Sequence, residues 1–414
     1  MFETLFQRPE VIARHQRAPF AEERQHYLVH CAQQGYSHAT LLFKARELFW
    51  VAHKLSRYPD LQLTLEQVEA VAQGWEERRE CHGQSLNEYW THRRFMETAR
   101  PWLRFLGCLH EPVESIPFAD QLESYVTWMS QERGLAATTI ERRQGYIGQF
   151  LRWYSARGRD LADVRLTDID TFLREGGDKG WCRVSVNNMA TVLRGFFRYG
   201  ATQGWCLATL GPAIQGPRLF AFEPLPLGPE WSDVQGLLAS LDTDRPGDIR
   251  DRAILMLFAV YGLRASEVAQ LCLDDLDWEH DLIQVQRAKR RCPQTYPLVV
   301  TVGNALIRYV REVRPVCPHR EVFLTLLPPT RPLSRGALYS LTRNRFEACG
   351  IQAAHQGPHA LRHSCAARLT AEGLSLKAIG DHLGHRSPSA TRIYAKVDLS
   401  ALRHVAAFDL GELL

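Results

Sequence analysis

The chain of 414 residues is 45% hydrophobic and 23% charged, with a formal net charge of +4 at pH 7. This length predicts two or three domains, and the mildly basic balance permits nucleic-acid binding without establishing it. The sequence has no run of about 18 apolar residues that would span a membrane, and its first residues lack the pattern of a secretion signal. Its ten cysteines include no Cys-x-x-Cys pair, and Cys317-Pro-His319 lacks a second pair for zinc. We therefore expect a reduced, cytoplasmic protein with no metal, no cofactor and no membrane partner.

The first 110 residues are expected to be helical. Apolar residues recur at helical spacing in Leu41–Val51, in Leu65–Val71 and in Leu86–Phe105. The stretch Glu111–Pro117, which contains two prolines, follows and is typical of a linker. Residues 1–110 are therefore predicted to form an N-terminal helical domain.

The second predicted module, residues 117–215, opens almost as the first one does. Pro117-Phe-Ala-Asp echoes Pro19-Phe-Ala-Glu, and a tyrosine follows each proline by eight residues, at Tyr125 and at Tyr27. We hypothesise that the N-terminal region is a diverged copy of this module. Two helical domains that share a start signal by chance would explain the similarity equally well.

Residues 117–215 carry three amphipathic helical patterns, Leu122–Met129, Ile140–Tyr154 and Val184–Tyr199. The third pattern mixes apolar residues with asparagines and arginines, so its polar side fits a DNA groove and a solvated surface equally well. Residues 216–229 contain four prolines and are expected to form an extended link to the next domain.

The last region, residues 230–414, is expected to be mostly helical with a small antiparallel sheet. An apolar helix is predicted over Ile249–Val260, and a β-hairpin over Trp278–Gln286 and Thr295–Val300. Further helices are predicted over residues 303–314, 335–349 and 359–394. The whole chain is thus predicted to be mainly α, with its strands in the C-terminal domain.

The pattern most suited to chemistry begins at His359. His359 and Arg362 lie three residues apart, so on one helix they share a face and can meet one ligand. Pro358 precedes them and suits a first helical turn. His363 points roughly 100° away from Arg362 and is assigned to packing or positioning, outside the catalytic set.

A further histidine and a tyrosine follow. His385 comes after Gly384, where a turn would present it better than the competing His382, and Tyr394 lies nine residues beyond His385. Arginine can hold phosphate oxygens in a fixed fork, histidine can donate a proton or a hydrogen bond, and a tyrosine hydroxyl can attack phosphorus. Together these residue types can cut and rejoin a phosphodiester without a metal.

Two candidate basic residues lie upstream. Arg264, within Gly262–Glu267, is placed to hold a phosphate and to be oriented by Glu267, although a structural Arg–Glu pair would give the same pattern. Lys289 lies at the predicted hairpin tip, which begins at Arg287. Neighbouring positive charge lowers the pKa of a lysine and suits it to donate a proton. A solvated basic loop that grips phosphates nonspecifically is the alternative for this tip.

Three segments resemble the tyrosine recombinase, or phage integrase, family: Gly262–Glu267, His359–His363 and Leu383–Tyr394, within a match over roughly residues 115–400. The resemblance implies a helical core-binding domain and a catalytic domain that together clamp DNA. It implies that five side chains surround the scissile phosphate and that a tyrosine attacks it: Arg264, Lys289, His359, Arg362, His385 and the nucleophile Tyr394.

The sequence departs from the family pattern in two places. Cys292-Pro293 stands where the family's hairpin often carries further Lys, Gly or Arg, so Arg290 competes with Lys289 for the position of general acid. The other departure is the additional N-terminal hundred residues, about which the family pattern says little.

The resemblance implies an enzyme that recombines double-stranded DNA at specific sites without metal or ATP, in the integration, excision or transposition of a mobile element. It also implies a DNA-bound homotetramer, assembled through the short amphipathic tail Leu399–Phe408. Two alternatives stay open: a catalytically inactive DNA-binding protein on the same scaffold, and a type IB topoisomerase-like enzyme that relaxes DNA.

Overall fold

The computed structural model describes residues 1–58, 60–80, 88–110, 116–220, 228–287, 293–385 and 387–396. Side chains are described for all of these residues except 74–80, 88–91 and 395–396. The chain divides into two compact units, residues 1–110 together with 224–414, and residues 111–223. The fold is mainly α with a small antiparallel sheet, which confirms the predicted fold class. Within the described ranges, no helix is both long enough and apolar enough to cross a membrane.

The N-terminal part of the first unit is helical, as predicted. Its helices are α1 Phe2–Leu5, α2 Pro9–Arg17, α3 Ala21–Gln33, α4 His38–Leu55, α5 Leu65–Glu80 and α6 Glu88–Phe105. The Ser37 side chain begins α4 by accepting a hydrogen bond from the Thr40 backbone N–H. The buried faces of these helices share one apolar core. Two short strands, β1 Leu63–Thr64 and β2 Leu109–His110, pair in parallel, and two residues are too few to show a strand pattern in the sequence.

The second unit is built from helices around an aromatic core. Its helices are α7 Ala119–Gln131, α8 Ala137–Ser155, α9 Leu166–Asp178, α10 Arg183–Thr202 and α11 Leu210–Ala213. The Phe150 ring lies 5.3 Å from the Phe172 ring and 5.6 Å from the Phe197 ring, both edge-on. The Trp153 indole N–H donates to Glu175 at 2.8 Å, which ties α8 to α9 at the edge of this core.

The first long helix of each helical region begins in the same unusual way. Helices α3 and α7 both have 13 residues, and they follow Phe20 with φ of 57° and Phe118 with φ of 59°. A positive φ is unfavourable for a bulky side chain, so its occurrence at both starts is informative. Tyr27 and Tyr125, at matching positions, are both buried. These features support the duplication hypothesis, which stays a prediction.

The C-terminal part of the first unit forms its own apolar core around α13. Its helices are α12 Trp231–Ser240, α13 Pro246–Tyr261, α14 Ala265–Ala269, α15 Val300–Arg308, α16 Arg335–Ala348, α17 Pro358–Ala371 and α18 Leu376–Leu383. Residues 253–259 of α13 are all buried, because this helix packs against α15 and α17. The helix predicted over 303–314 begins earlier, at Val300, and its last turn, Tyr309–Val313, is a π-helix.

The small sheet has three antiparallel strands in the order β3 Leu276–Asp277, β4 Leu282–Gln286 and β5 Pro293–Pro297. In its register Leu282 pairs with Pro297 and Gln286 pairs with Pro293. The first predicted strand starts too early, because Asp281, with φ of 53°, turns the chain just before β4. The second was predicted to extend to Val300, but it ends at Pro297, because Val299 caps α15 and the helix begins at Val300.

Candidate active site

The site begins where helix α13 ends. Gly262 closes α13 with φ of 60°, a conformation that favours glycine. A Cβ atom on Gly262 would lie 2.5 Å from the Leu383 side chain, so a larger residue would push α18 away. This approach brings Arg264 within reach of α18, where its guanidinium donates to the Gly384 carbonyl at 3.3 Å.

Glu267 orients Arg264. Arg264 caps α14, and the Glu267 carboxylate accepts from the Arg264 backbone N–H and from its guanidinium, both at 2.8 Å. The Arg264 side chain keeps 33% of its surface exposed, whereas the Glu267 side chain keeps only 3%. The buried Glu267 thus holds one side of the Arg264 guanidinium, and the other side remains open to a ligand.

The buried Glu267 carboxylate is shared with a second arginine, Arg287. The Arg287 guanidinium donates to Glu267 at 2.5 Å and to the Tyr296 hydroxyl, and only 3% of the residue is exposed. Burial alone would raise the pKa of Glu267, but hydrogen bonds from Arg287 and Arg264 outweigh burial and hold it below its usual value. The basic tip was predicted to begin at Arg287, but this residue is buried against the Glu267 carboxylate, so the alternative of a solvated basic loop does not apply to it.

Arg362 lies on α17, three residues after His359, and is 2% exposed. Its guanidinium donates to the carbonyls of Gly262 and Leu383, where α13 and α18 end. Helix C-termini carry partial negative charge, so two of them compensate for burying this cation. Burial and the nearby Arg264 lower the pKa of Arg362 to about 10, so it stays charged at pH 7.

Two histidines face the arginine cluster. Burial, followed by the charge of Arg362, lowers the pKa of His359 below its usual value. The same causes, with Arg264, lower the pKa of His385 to about 4. His385 Nδ1 lies 2.7 Å from the Thr391 hydroxyl, whereas the competing His382 packs its ring edge-on against Tyr296. Both histidines nearest the arginines are therefore neutral at pH 7.

Tyr394 is buried, with 2% of its surface exposed. Its hydroxyl lies 3.0 Å from Nδ1 of His363, whose ring centroid lies 4.5 Å from that of His359. Burial raises the pKa of Tyr394 to about 12, and the charge of Arg362 opposes this shift. Burial lowers the pKa of His363 to about 4, so a neutral imidazole faces a protonated phenol.

Two family models match this chain. The phage integrase family matches residues 230–400, and the phage integrase N-terminal SAM-like domain matches residues 122–204. The chain is 33% identical over 299 residues to the putative integrase/recombinase y4rA of Sinorhizobium fredii, which covers 70% of this chain and 71% of that protein. It is 30% identical to tyrosine recombinase XerD of Listeria monocytogenes, over 69% of this chain and 97% of that protein. The chain belongs to the phage integrase family of tyrosine recombinases.

The fold of this tyrosine recombinase resembles a solved member of the family. The structure of the XerH site-specific recombinase bound to a palindromic difH substrate, in a post-cleavage complex, matches with a TM-score of 0.54 and 21% identity. The match covers 70% of this chain and 84% of that chain. Residues 1–110 of this recombinase lie outside both family-model matches.

The structure brings five of the six candidate residues of the recombinase into one site. They are Arg264, His359, Arg362, His385 and Tyr394, linked by the contacts and charge interactions above. Lys289, its rival Arg290 and the tail Leu399–Phe408 lie outside the described residues. Within the described ranges, no group of three or more His, Cys, Asp or Glu side chains is placed to hold a metal ion.

Sequence reasoning missed two residues of the recombinase site. His363 was assigned to packing or positioning and left out of the catalytic set, and in the structure it contacts the Tyr394 hydroxyl. Its spacing of four residues from His359 places both rings on one helix face, and this was the available signal. Arg287 carried no such signal, because its partner Glu267 lies 20 residues earlier on a different element.

Proposed function

We propose that this recombinase cuts and rejoins double-stranded DNA at specific sites through a 3′-phosphotyrosyl intermediate, with Tyr394 as the nucleophile. The observation that carries the proposal is the convergence of Arg264 and Arg362. Arg264, the cap of α14, donates to the Gly384 carbonyl after α18, and Arg362 on α17 donates to the carbonyls of Gly262 and Leu383 at the ends of α13 and α18. His363, which follows Arg362 on α17, contacts the Tyr394 hydroxyl.

The two arginines have different parts in this proposal. Arg264 is one-third exposed and rigidly oriented, which suits it to donate two parallel hydrogen bonds to the non-bridging phosphate oxygens. Arg362 supplies buried positive charge beneath the same phosphate, while its hydrogen bonds to Gly262 and Leu383 hold the site together. One preorganised donor to a developing oxyanion contributes about 3–4 kcal/mol to transition-state stabilisation.

The histidines serve as neutral donors in the resting enzyme. His359 and His385 are kept uncharged by burial and by the arginines. A bound phosphodiester brings negative charge into the site, which raises the pKa of nearby imidazoles and strengthens their hydrogen bonds. The Thr391 hydroxyl lies 2.7 Å from Nδ1 of His385 and fixes the orientation of this ring.

The nucleophile must lose its proton as it attacks. With a pKa near 12, the Tyr394 hydroxyl is protonated at pH 7. As the bond from its oxygen to phosphorus forms, its proton passes to Nδ1 of His363, 3.0 Å away, and the bond to the 5′ oxygen breaks. The leaving 5′ oxygen takes a proton from a general acid, which the family resemblance assigns to Lys289. The phosphotyrosyl bond conserves the energy of the phosphodiester, so rejoining needs no ATP.

The family and the relatives support a proposal about the partners. XerH was solved bound to a palindromic difH substrate, and y4rA is named a putative integrase/recombinase. We propose that this protein acts on double-stranded DNA of a mobile element, as a homotetramer joined through residues 399–414. These two steps extend the family assignment and have separate tests.

Covalent capture on nicked suicide substrates tests the proposed function. The substrates are made from DNA flanking the gene, and the cleavage reactions contain EDTA. The parent protein should form a covalent DNA adduct on a denaturing gel, and Tyr394→Phe should bind the same DNA without forming it. Adduct formation by Tyr394→Phe would remove this residue as nucleophile.

Loss of the parent's adduct in EDTA would point to a metal instead. Plasmid relaxation without recombinant products would favour the topoisomerase-like alternative, and DNA binding without any adduct would favour the inactive one.

A further inference from the structure

A cavity of about 570 Å³ lies between α1, α2 and α4, within residues 4–50. Arg8, Arg14 and Arg46 line it together with His15 and Trp50. We call this feature the arginine pocket. Its volume falls in the range of ligand sites, about 300–1,000 Å³, and it lies in the region that neither family model covers.

The charges of the arginine pocket are not neutralised from within. In the part of the chain that the structure describes, Arg8, Arg14 and Arg46 have no carboxylate within ion-pair distance. The Arg14 guanidinium lies 5.1 Å over the Phe49 ring, which also lines the pocket. Burial is the main cause of the low pKa of His15, and the positive charges of Arg24, Arg14 and Arg46 lower it further. Three uncompensated guanidinium groups around one cavity favour an anionic ligand with several oxygens.

The pocket also offers an aromatic surface. Trp50 is 54% exposed and is held edge-on by Phe49 at 5.5 Å. His15 is 1% exposed and stacks on Phe6 at 4.3 Å. Among the described residues, the buried Nδ1 of His15 has no hydrogen-bond partner. The exposed indole of Trp50 is therefore the aromatic surface that a ligand in this pocket can meet.

Phosphate oxygens for the arginines and a flat ring for Trp50 occur together in a nucleotide. A base inside a duplex is covered by its stacked neighbours, so only an unpaired base can lie against the indole. We propose that the arginine pocket binds an unpaired nucleotide of a DNA strand, with its phosphate on the arginines and its base against Trp50. This site is separate from the site that holds Tyr394 and does not depend on its chemistry.

Photo-crosslinking on the full chain tests the location. A single-stranded oligonucleotide that contains 5-iododeoxyuridine is irradiated with the protein, and the modified peptide is identified by mass spectrometry. We expect the crosslink at Trp50, and we expect the double variant Arg14→Gln/Arg46→Gln to lose it. Arg57→Gln is the matched control for an exposed arginine outside the pocket and should keep it. A crosslink that avoids Trp50, or that survives in the double variant, would overturn the proposal.

Binding measurements on the same oligonucleotide test the chemistry. Trp50→Ala should weaken single-strand binding about 5- to 150-fold, whereas Phe43→Ala, an exposed aromatic residue of α4 outside the pocket, should not. The arginine double variant should also reduce the salt dependence of binding. The slope of log affinity against log salt concentration should become shallower by about 0.7 for each phosphate that the variant no longer binds. An unchanged affinity and slope would contradict the proposal, provided that the melting temperatures of the variants match that of the parent.

Competitors identify the source of the ligand. The crosslink at Trp50 should be displaced by unlabelled single strand, but not by an equal nucleotide concentration of duplex, thymidine monophosphate or inorganic phosphate. Equal displacement by any of these three would assign the pocket to duplex backbone, a free nucleotide or a free anion, and would refute an unpaired DNA nucleotide. The parent's covalent adduct on the suicide substrate is measured in parallel, so a failed crosslink with a normal adduct leaves the proposed function intact.

Discussion

Arg264 and Arg362 are both candidate phosphate ligands, but they differ in burial and in their hydrogen-bond partners. Arg264 contacts Glu267 and Gly384 from a half-open position, whereas Arg362 is buried and joins two helix ends. A change at Arg264 should therefore affect mainly chemistry. A change at Arg362 should also lower stability, because it would leave two buried carbonyls without donors.

Arg264→Lys should reduce adduct formation about 10²–10³-fold, because an ammonium group cannot reproduce the two parallel hydrogen bonds of a guanidinium. The rate on the suicide substrate and the melting temperature are measured together. Arg343→Lys is the control, since Arg343 also pairs with a carboxylate, Glu347 at 2.8 Å, on an exposed helix face. A normal cleavage rate in Arg264→Lys would remove this residue from the site.

His363→Ala should slow adduct formation by about 10²-fold at unchanged DNA affinity, because the Tyr394 hydroxyl loses the partner that orients it and takes its proton. His363→Asn offers an amide near the place of Nδ1 and should restore part of the rate without restoring a base. The pH–rate profile of the Asn variant separates the two roles. If His363→Ala cleaves at the parent's rate, the ring serves only packing.

At the scale of elements, two helix C-termini create the site. Gly262 ends α13 and Gly384 ends α18, both with positive φ, and Arg362 binds the carbonyls at this junction. A Cβ atom on Gly384 would lie 2.7 Å from Nε of Arg287. Arg287 and Arg264 both donate to Glu267. A displacement of Arg287 would therefore also shift Arg264, the proposed ligand of the phosphate.

Gly384→Ala should destabilise the protein by more than the roughly 1–2 kcal/mol that a left-handed backbone costs an alanine, and it should slow adduct formation. Gly373→Ala is the matched control, since Gly373 has φ of 83° and nothing within 4 Å of an added Cβ atom. Thermal unfolding and adduct rates are compared for both variants. Equal effects would show that only the backbone conformation matters at Gly384.

At the scale of the whole molecule, stability is expected to fall in mild acid. Burial holds the pKa values of His15, His363 and His385 at about 4, below the ordinary value of 6.5. Between these values the unfolded chain binds more protons than the folded chain, so stability present above pH 6.5 is lost as pH falls towards 4. Each pKa unit corresponds to at most about 1.4 kcal/mol for a fully buried ring.

Calorimetry at pH 7 and pH 5 measures this loss. The melting temperature should fall at pH 5, by about 2–4 °C for each kcal/mol lost, and it should fall less in His363→Asn, which has one titrating ring fewer. A melting temperature independent of pH over this window would contradict the burial of these rings.

The proposed tetramer makes a second prediction at this scale. Deleting residues 399–414 should reduce recombination by about 10²-fold or more, because cooperative assembly multiplies the affinity of single contacts. Binding to one isolated DNA site, measured on the same truncated chain, should change little and serves as the control. Equal recombination by the truncated and complete chains would exclude a role for this tail in assembly.

The site could be predicted from sequence where its parts are local. His359 and Arg362 share a helix turn, and Glu267 lies three residues after Arg264, so spacing alone predicts their proximity. The burial of Arg287 and the contact of His363 with Tyr394 were not predictable in this way. Each depends on a partner at least 20 residues distant, brought close by packing.

The sequence by itself determined the helical fold class, the family motifs and the residue types of the site, because helical periodicity and short motifs are properties of neighbouring residues. Only the tertiary structure decided which of those residues meet, which are neutral, and which face solvent. Burial and long-range charge set pKa values and hydrogen-bond partners, and both depend on where α13, α17 and α18 come together. The same holds for the arginine pocket, where Arg46 of α4 stands far along the chain from Arg8 and Arg14 and shares a cavity with them only after folding.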